Sequence, residues 1–470
     1  MLFSSMIFLW LFLPCVLILN LILPRGAANW FLIAAGFIFY AWGEQEYIWV
    51  LLLSLLVNYL GARLMGKAGE SRTQCPGYTF AILVLLLAFN LGLLGYFKYF
   101  DFITGLLGKL SGRQFMEPRN LLLPIGISFY TFQMISYVID VYRGDIPAET
   151  RLSHLALYIS FFPKMIQGPI VRYGGFDACI HDRHVTPELF AYGARRFIYG
   201  LSKKLILANQ FGSVVDKVLS HPMEKISGGL GWYIGILYTL QIYFDFYGYS
   251  LMAKGLGQLM GFSLPDNFNY PYLSLSMTEF WRRWHMTLGG WFRDYIYIPL
   301  GGSRCGKGAT IRNMLVVWLL TGFWHGASWN FILWGSVIFL LMFIEKMGLK
   351  HLLDGCPLIG HLYMMMVIPL TWLSFAVTDR VQMKIYFLRL FPFLAPEKQS
   401  LYFAGDFLKY GRIYALSLTL SLIFMTQLPR KLYKQWKRSF LTAVILLAVF
   451  WLCVYFMKMG ADDPFLYFRF

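Results

Sequence analysis

Two histidines lie in surroundings that favour acid–base chemistry. His325 is in TGFWHGASWN, residues 321–330, between the apolar runs MLVVWLL and FILWGSVIFLL. His285 is in FWRRWHMTLGG, among arginines and tryptophans. A neutral imidazole can take a proton from a hydroxyl near pH 7, and an apolar wall keeps it neutral. An ionisable residue at membrane depth is costly, so His325 is either functional or a structural histidine bonded to a neighbour.

His325 needs an element that positions it. Residues 313–345 contain two apolar arms around GASWN, each of about a dozen residues, whereas two full crossings need ~40. An arm that begins near Asn313 carries His325 about 18 Å into a ~30 Å hydrocarbon core. We therefore predict a short or re-entrant hairpin with His325 at its tip, inside the protein. Non-helical backbone at that depth must be buried or line a cavity, so Ser328 and Asn330 are predicted to line a tunnel.

Two further polar residues, Gln241 and Asp245, lie in the aromatic segment QIYFDFYGYS, residues 241–250. Ordinary aromatic packing around buried hydrogen bonds also explains such a segment. Together with similar segments it indicates helices around a polar interior, and we predict that both residues line it. The histidines lack metal-ligand spacing such as H-E-x-x-H, and the six cysteines are scattered. We therefore predict no bound metal and no disulfide framework.

The segment around His285 is strongly cationic, with four arginines in residues 280–308. An amphipathic helix at the membrane interface would place such cations against lipid headgroups. GGSRCGKG lacks the G-x-x-x-x-G-K-[ST] pattern, so nucleotide hydrolysis is not supported, yet a glycine-rich cationic loop can receive phosphates. The residues that we predict to bind the phosphates of an acyl donor are Arg282, Arg283, Arg304 and Lys307.

The composition is that of a membrane protein. The chain has 470 residues, of which 58% are hydrophobic and only 14% are charged. Apolar runs such as YTFAILVLLLAFNLGLLGYF reach the ~20 residues that a spanning helix needs. We predict one integral all-α polytopic membrane domain over residues 1–470, with about ten to twelve transmembrane helices plus re-entrant and interfacial helices. Segments 180–196 and 264–312 are too polar to span and belong to the interface.

The formal net charge of +17 comes from basic residues that cluster between the apolar runs. Cytoplasmic loops carry such an excess of lysine and arginine and face anionic lipid, so this pattern indicates topology and not nucleic-acid binding. It predicts a multi-pass protein of the cell membrane with both termini outside the cytoplasm. The predicted cytoplasmic clusters are Arg63–Arg72, Arg195–Lys204, Arg282–Arg312, Lys346–Lys350 and Arg430–Arg438.

Several stretches between about residues 120 and 345 resemble the membrane-bound O-acyltransferase family, in its bacterial branch of alginate O-acetylation and teichoic acid D-alanylation. The stretches are LPIGISFYTFQMISYVIDVYRG, FFPKMIQGPIVRY, QIYFDFYGYS, LPDNFNYPY, WRRWHMTLGGWFRDYIYIPLGG and TGFWHGASWN. The alginate-type pattern reads S-G-Y-S-D after FDF. Here the order is Tyr247-Gly248-Tyr249-Ser250-Leu251, which leaves the acceptor or partner open.

The resemblance implies a ring of transmembrane helices around a thin centre that a tunnel pierces. It implies that His325 is the catalytic histidine and that His285 is the second active-site histidine. The ending FLYFRF, residues 465–470, is similar to the F-x-Y-F-x-F ending of related envelope acylation systems, whose tyrosine carries the acyl group. Here that acyl relay is Tyr467. A hydrophobic tail on the membrane surface is the alternative.

The resemblance also implies a reaction. Acetyl-coenzyme A, a substrate and not a bound cofactor, would enter from the cytoplasm, and its acetyl group would leave outside through Tyr467 or a partner protein. His325 would act as the base, while His285 would orient the thioester or stabilise the oxyanion. Because the chain contains no G-x-S-x-G, we expect a separate extracytoplasmic SGNH-type acyltransferase to O-acetylate a cell-envelope or exported polysaccharide.

Three other roles stay open at this point, one of which is a structural scaffold for a partner enzyme, a role that would survive loss of both histidines. The same catalyst could transfer D-alanine from a carrier protein to teichoic acid. A non-enzymatic transporter would need ion-coupling carboxylates at mid-membrane, and the sequence offers only Asp140 and Asp245 for that role. Acceptance of a carrier protein, or independence from His325, would separate these functions from acetyl transfer.

Overall fold

A computed structural model describes residues 1–70, 76–112, 116–394, 405–436 and 439–460. Within these ranges the chain forms helices and connecting loops without a β-strand, which confirms the predicted all-α class. The chain forms two compact units. Unit 1 comprises Met1–Phe197, Ser250–Asp266 and Gly290–Pro299, and unit 2 comprises Ile198–Tyr249, Asn267–Gly289 and Leu300–Phe470.

Unit 1 contains the first nine helices, in which α2 packs on α1 and α7, while α3, α4 and α6 pack together. Gly36 on α2 permits the contact with α7, because a Cβ there would lie 1.9 Å from the carbonyl oxygen of Ser160. The helices are α1 (Leu13–Ile22), α2 (Arg25–Ala41), α3 (Ile48–Glu70), α4 (Pro76–Leu94), α5 (Phe100–Ser111), α6 (Ile127–Arg143), α7 (Leu152–Ser160), α8 (Phe162–Met165) and α9 (Tyr173–His181).

Helix α6 is largely buried, and residues 290–299 pack against it. The indole of Trp291 stacks on Phe132 with ring centroids 4.0 Å apart and donates a hydrogen bond to the Phe132 carbonyl. The hydroxyl of Tyr295 donates to the carboxylate of Asp140 at 2.8 Å. These contacts explain why LPIGISFYTFQMISYVIDVYRG is so rich in aromatic and polar residues: its side chains fill a packed interior.

Unit 2 contains most of the remaining helices, although α10, α12 and α14 contribute residues to both units. The helices are α10 (Pro187–Ser202), α11 (Asn209–Leu219), α12 (Gly228–Leu259), α13 (Met277–Arg283), α14 (Met286–Phe292), α15 (Gly306–His325), α16 (Trp329–Ile344), α17 (Lys350–Gly355), α18 (Pro357–Ala376), α19 (Arg380–Leu390), α20 (Asp406–Ile413), α21 (Ala415–Phe424), α22 (Leu428–Trp436) and α23 (Phe440–Met459).

Short turns of other helix types interrupt or extend these elements. Segments of π-helix are often found at functional sites, because one extra residue re-aims the side chains around it. The π-helical segments are Phe8–Phe12, Gly95–Tyr99, Lys203–Ala208, Arg293–Tyr297 and Glu345–Leu349. The 3₁₀ turns are Met223–Lys225, Pro271–Leu273 and Pro392–Leu394.

Five helical stretches of the described chain are long and apolar enough to cross a membrane. They are Ile48–Lys67, Gly77–Ser111, Trp329–Gly355, Pro357–Ala376 and Phe440–Met459. The pair α20 and α21, bent by 68°, would count as a sixth if it forms one broken span. A multi-pass membrane protein is thereby supported, whereas the ring, its about ten to twelve helices and the orientation of the termini stay predictions.

The hairpin around GASWN exists, but its first arm is longer than the sequence indicated. Helix α15 begins at Gly306 and not near Asn313, so its 20 residues extend about 30 Å. Helices α15 and α16 lie antiparallel in close contact, since a Cβ on Gly322 would lie 2.3 Å from the Phe331 carbonyl oxygen. A Cβ on Gly335 would likewise lie 2.3 Å from the Trp318 carbonyl oxygen. Small residues at this crossing let the two backbones approach.

Candidate active site

Helix α13 carries WRRW towards His285, and a buried carboxylate fixes its first turn. Glu345 is 1% exposed and accepts hydrogen bonds from the backbone N–H groups of Met277 and Thr278 at 2.6 and 3.0 Å. The Thr278 hydroxyl donates to the same carboxylate at 2.7 Å. An anion at a helix N-terminus satisfies donors that have no partner inside the helix. Sequence reasoning missed Glu345, which lies in a basic segment and gave no local signal.

His285 follows α13 in a left-handed backbone conformation, with φ of 44°. Its side chain is buried, and Nδ1 lies 3.0 Å from the Oδ1 of Asn267. The backbone N–H of Met286 donates to the Asn267 carbonyl at 2.9 Å, which ties this turn to the LPDNFNYPY segment. His285 lies outside the stretches that qualify as spans, and burial lowers its pKa to about 3. The ring is therefore neutral at physiological pH.

His325 is the last residue of α15 and is 7% exposed. Aromatic rings surround its imidazole: the ring centroids of Trp324, Trp334 and Phe375 lie 4.8, 5.1 and 5.2 Å away. The following Gly326 leaves room for this packing, because a Cβ there would lie 2.3 Å from the Phe331 ring. The prediction that the tip of the hairpin holds His325 inside the protein is thus confirmed.

The structure brings the two histidines into one neighbourhood of unit 2. The indole of Trp324 lies 4.8 Å from the His325 ring and 6.3 Å from the His285 ring, centroid to centroid. Two buried imidazoles beside one indole offer two hydrogen-bonding groups to a substrate in a mostly apolar setting. Such a setting strengthens electrostatic interactions with a reacting group.

The four predicted donor-binding cations differ in their surroundings. Arg282, Arg304 and Lys307 are exposed, so their charges are open to an anion. Arg283 is half-buried and forms an ion pair with Glu279, one turn earlier on α13, at 2.5 Å. Arg283 is therefore partly neutralised, and the other three are the stronger candidates for phosphate contacts.

The predicted tunnel residues on α12 are both buried. Asp245 forms an ion pair with Lys204 at 2.6 Å, and both side chains are nearly inaccessible to solvent. Gln241 lies against Gly212 on α11, where a Cβ would come within 2.7 Å of its Nε2. A buried ion pair explains Asp245 without a role in transport, since each charge satisfies the other.

Ser328 and Asn330 have structural contacts at the start of α16. The Ser328 hydroxyl accepts a hydrogen bond from the backbone N–H of Asn330 at 3.4 Å, in the manner of a helix N-cap. The Asn330 side chain donates to the Thr378 carbonyl, so the tip of the hairpin is tied to the end of α18. The prediction that these two residues line a tunnel remains untested.

Lys203 and Lys204 were placed in a basic cytoplasmic cluster, but both are 2% exposed. The Lys203 ammonium makes no hydrogen bond within the described chain and lies 4.6 to 5.1 Å from ring centroids of Tyr199, Phe244, Tyr247 and Phe424. Aromatic faces attract a cation and offset part of the cost of burying it. The charge pattern could not reveal this, because it does not report depth.

One group of possible metal ligands lies in unit 1, away from the two histidines in sequence. The ligand atoms of His154, Asp177 and His181 all lie within 4.8 Å of one another. The sequence spacing indicated no metal site. In the structure, however, His154 is buried on α7.

The proposed acyl relay, Tyr467, and the rest of FLYFRF lie outside the described residues. Its role therefore depends on the sequence resemblance alone.

Comparison with known proteins matches the segment that contains His285 and His325 to a protein family. The profile of MBOAT, the membrane-bound O-acyltransferase family, matches residues 149–354. The chain is 42% identical over 339 residues to the probable alginate O-acetylase AlgI of Azotobacter vinelandii, covering 72% of this chain and 67% of that protein. It is 35% identical over 369 residues to a peptidoglycan O-acetyltransferase of Helicobacter pylori, with coverages of 71% and 68%.

A third relative has a different printed activity. The chain is 31% identical over 322 residues to a teichoic acid D-alanyltransferase of Bacillus subtilis, covering 65% of this chain and 75% of that protein. The chain thus spans about two thirds to three quarters of the length of these relatives.

Proposed function

The chain belongs to the membrane-bound O-acyltransferase family, and from this premise we propose that it moves an acetyl group from cytoplasmic acetyl-coenzyme A to an acceptor outside the membrane. The transferred group then O-acetylates a cell-envelope or exported polysaccharide. The observation that carries the proposal is the pair of buried histidines, His285 and His325, beside the Trp324 indole.

The chemical step is acyl transfer from a thioester to a hydroxyl. The hydroxyl oxygen attacks the carbonyl carbon and His325 takes its proton, because a phenol with a pKa near ~10 is a weak nucleophile at neutral pH. The tetrahedral intermediate collapses, the carbon–sulfur bond breaks, and the imidazolium returns the proton to the thiolate of coenzyme A. The attacking hydroxyl is that of Tyr467 or of a partner protein.

Charge distribution supports entry of the donor at the cationic segment. Arg282, Arg304 and Lys307 are exposed, so the phosphates of coenzyme A can contact them while its thioester extends towards the histidines. The aromatic wall around His325 excludes water, and exclusion of water protects a thioester from hydrolysis.

The acceptor class is proposed from the relatives. Proteins named alginate O-acetylase and peptidoglycan O-acetyltransferase are among them, so a polysaccharide acceptor is the coherent choice. Within this chain there is no G-x-S-x-G, and an extracytoplasmic SGNH-type acyltransferase would make the final ester.

D-alanyl transfer from a carrier protein to teichoic acid is the second candidate, because one relative carries that name. The same two histidines would serve it, since a carrier protein also presents a thioester. The donor distinguishes the two: soluble acetyl-coenzyme A supports only the first, and a D-alanylated carrier supports only the second.

The intact mass of the C-terminal peptide tests the proposal, measured in cells that lack the final transferase. We expect an acetyl group on Tyr467 in the native chain and none in His325→Ala. A D-alanyl mass would assign the chain to the second function. His351→Ala replaces an exposed histidine and serves as the matched control.

If Tyr467 is unmodified in both chains, the relay is wrong or its adduct is too short-lived. In that event the acetyl content of the exported polysaccharide, compared between the native chain and His325→Ala, tests the enzyme independently of the tyrosine.

A further inference from the structure

The hydrogen bonds around Asn267 define which of its side-chain atoms is the oxygen. The backbone N–H of Thr287 lies 3.3 Å from Asn267 Oδ1, and the Thr287 hydroxyl lies 2.9 Å from it. A backbone N–H can only donate, so the atom that it faces must be an acceptor. The network therefore excludes the flipped amide, in which an NH₂ group would face that N–H.

The same oxygen decides the tautomer of His285. Nδ1 of His285 lies 3.0 Å from Asn267 Oδ1. Because an amide oxygen cannot donate, Nδ1 must carry the hydrogen of this bond. In a neutral imidazole the other nitrogen, Nε2, then has a lone pair and no proton.

Nε2 of His285 is buried and makes no hydrogen bond within the described chain. The edge-to-face ring of Phe246, 4.7 Å away between centroids, and the Trp324 indole restrict the imidazole from two other elements. A buried acceptor without a partner costs free energy unless a ligand satisfies it. The acceptor is therefore available to a donor from outside the described chain.

We propose that Asn267 is a positioning residue that holds His285 in the Nδ1–H tautomer, so that Nε2 accepts a hydrogen bond from the acyl donor. This rests on the proposed function, in which the only proton of the attacking hydroxyl goes to His325. The remaining donor near the thioester is the amide N–H of the pantetheine arm, two carbons from the sulfur. His285 therefore orients the thioester and does not stabilise an oxyanion, which would require an N–H at Nε2.

The tautomer can be tested without any activity. Purified full-length chain with ¹⁵N-labelled histidine gives imidazole NMR signals that distinguish Nδ1–H from Nε2–H, and His285→Gln assigns the signal. We expect Nδ1–H in the native chain and in Asn267→Asp, which keeps an acceptor oxygen. In Asn267→Leu we expect a mixture of tautomers. An Nε2–H tautomer in the native chain would overturn the proposal, whatever reaction the protein catalyses.

The orienting role is tested with two donors, acetyl-pantetheine and an analogue in which a methylene replaces the amide N–H nearest the sulfur. We expect the native chain to prefer the N–H donor by about tenfold to a hundredfold in kcat/KM. Asn267→Leu and His285→Ala should lose that preference, and Asn267→Asp should retain it.

Asn269→Leu makes the same substitution at an exposed asparagine two residues away and should behave as the native chain. Equal preference in Asn267→Leu and the native chain would show that His285 does not bind this amide. If all chains are inactive with both donors while the tautomer is as expected, the proposed reaction is wrong and the tautomer assignment stands.

A different observation, in unit 1, points to a cation site. Nδ1 of His154 lies 3.4 Å from Glu149 Oε2, and Nε2 of His181 lies 3.5 Å from Asp177 Oδ1. His154 is 8% exposed, and its Nδ1 makes no hydrogen bond within the described chain. The hydroxyl of Tyr173 lies between the carboxylates, in contact with both.

Imidazole nitrogens and a carboxylate oxygen within 4.8 Å of one another are the donor types that a borderline divalent cation takes. Tetrahedral Zn²⁺ takes imidazole nitrogens and carboxylate oxygens at about 2.0–2.2 Å, which places neighbouring ligand atoms about 3.3–3.5 Å apart. Asp177 and His181 are one turn apart on α9 and so lie on one face of the helix. We infer a Zn²⁺ site formed by His154, Asp177 and His181, with Glu149 beside His154, which takes no part in acyl transfer.

Equilibrium dialysis with Zn²⁺ alone tests this site, on purified full-length chain without a histidine tag. We expect one Zn²⁺ per chain and a higher thermal unfolding temperature with Zn²⁺ than with Mg²⁺. His181→Ala should weaken binding at least tenfold. His184→Ala, at a neighbouring exposed histidine, should not. Equal Zn²⁺ binding by His181→Ala and the native chain would overturn the site.

Discussion

His285 and His325 belong to the same unit, but different parts of the structure hold their rings. His285 is fixed by polar contacts: Asn267 receives its Nδ1–H, and the left-handed turn is tied to the Asn267 backbone. His325 is held by a helix end and by rings, with Trp334 and Phe375 about equally close. A polar contact determines which nitrogen of the imidazole carries the proton. Surrounding aromatic rings determine how far the imidazole is shielded from solvent.

The difference indicates that the surroundings of a histidine determine which of two chemical roles it can take. A histidine whose tautomer is fixed by an amide oxygen is prepared to accept one directed hydrogen bond. A histidine packed among rings is prepared for proton transfer, because the apolar surroundings favour the neutral imidazole that can accept a proton. The predictions below test this division of roles.

Replacement of His325, the histidine surrounded by aromatic rings, should have the largest effect. We expect His325→Ala to lower the rate of acetyl transfer by about 10³-fold or more, since it removes the general base. The initial rate with acetyl-coenzyme A and the acetyl content of the polysaccharide measure it. A loss smaller than tenfold, with folding intact, would remove His325 from the proposed base role.

Replacement of His285, the histidine that is hydrogen-bonded to Asn267, should have a smaller effect. We expect His285→Ala to lower kcat/KM by about 10- to 100-fold, because it removes one hydrogen bond to the donor and not the base. The two variants are compared in one assay. If His285→Ala is as damaging as His325→Ala, the division of roles between the histidines is wrong.

The packing of the aromatic rings around His325 can be disturbed without replacing His325 itself. In Gly326→Ala the new Cβ would lie 2.3 Å from the Phe331 ring, which must move. We expect a loss of about 1–3 kcal/mol in the free energy of unfolding, as for other overpacked cores, together with a slower reaction.

The matched control for the wall is Gly308→Ala on the same helix, where a Cβ meets no atom within 4 Å. This variant should unfold at the same temperature as the native chain or slightly higher, because alanine favours the helix. Equal stability of the two variants would mean that the wall is not tightly packed.

The smallest effect concerns pH and the buried His285. Its pKa of about 3 in the folded chain lies below the ordinary value of 6.5, so the unfolded chain binds the proton first as the pH falls. Stability is therefore complete above pH 6.5 and is lost below it, by up to about 1.4 kcal/mol per pH unit.

Thermal unfolding of the native chain and of His285→Gln between pH 7 and 5 measures this term. The native chain should lose stability more steeply than the variant, which has no group to protonate at this position. Parallel curves would mean that His285 is solvated in the folded protein.

Much of the fold was readable from the sequence because it depends on long apolar runs. The run YTFAILVLLLAFNLGLLGYF predicted a spanning helix, and the structure contains the apolar helical stretch Gly77–Ser111 there. The hairpin at GASWN was predicted from two short arms, and both are longer in the structure: the second helical stretch is Trp329–Gly355, and the start of α15 lies at Gly306. That start lies in a glycine-rich, cationic stretch, which gave no periodic signal for a helix.

The two histidines were also identified from the sequence, by an ionisable residue in apolar context and by family resemblance. Their partners were not. Glu345 binds the start of α13 across 68 residues, and Asn267 contacts His285 across 18. No local rule links such residues, because a helix end accepts an anion from any element that the fold brings to it.

By itself, the sequence determined the class of protein and the positions of several apolar helices, and it proposed the two histidines, because hydropathy and residue type are properties of short segments. Only the tertiary structure decided that Lys204 pairs with Asp245, that the His285 proton is on Nδ1, and that His154 and His181 meet. Those outcomes depend on distances between segments remote in sequence, and such distances are set by packing.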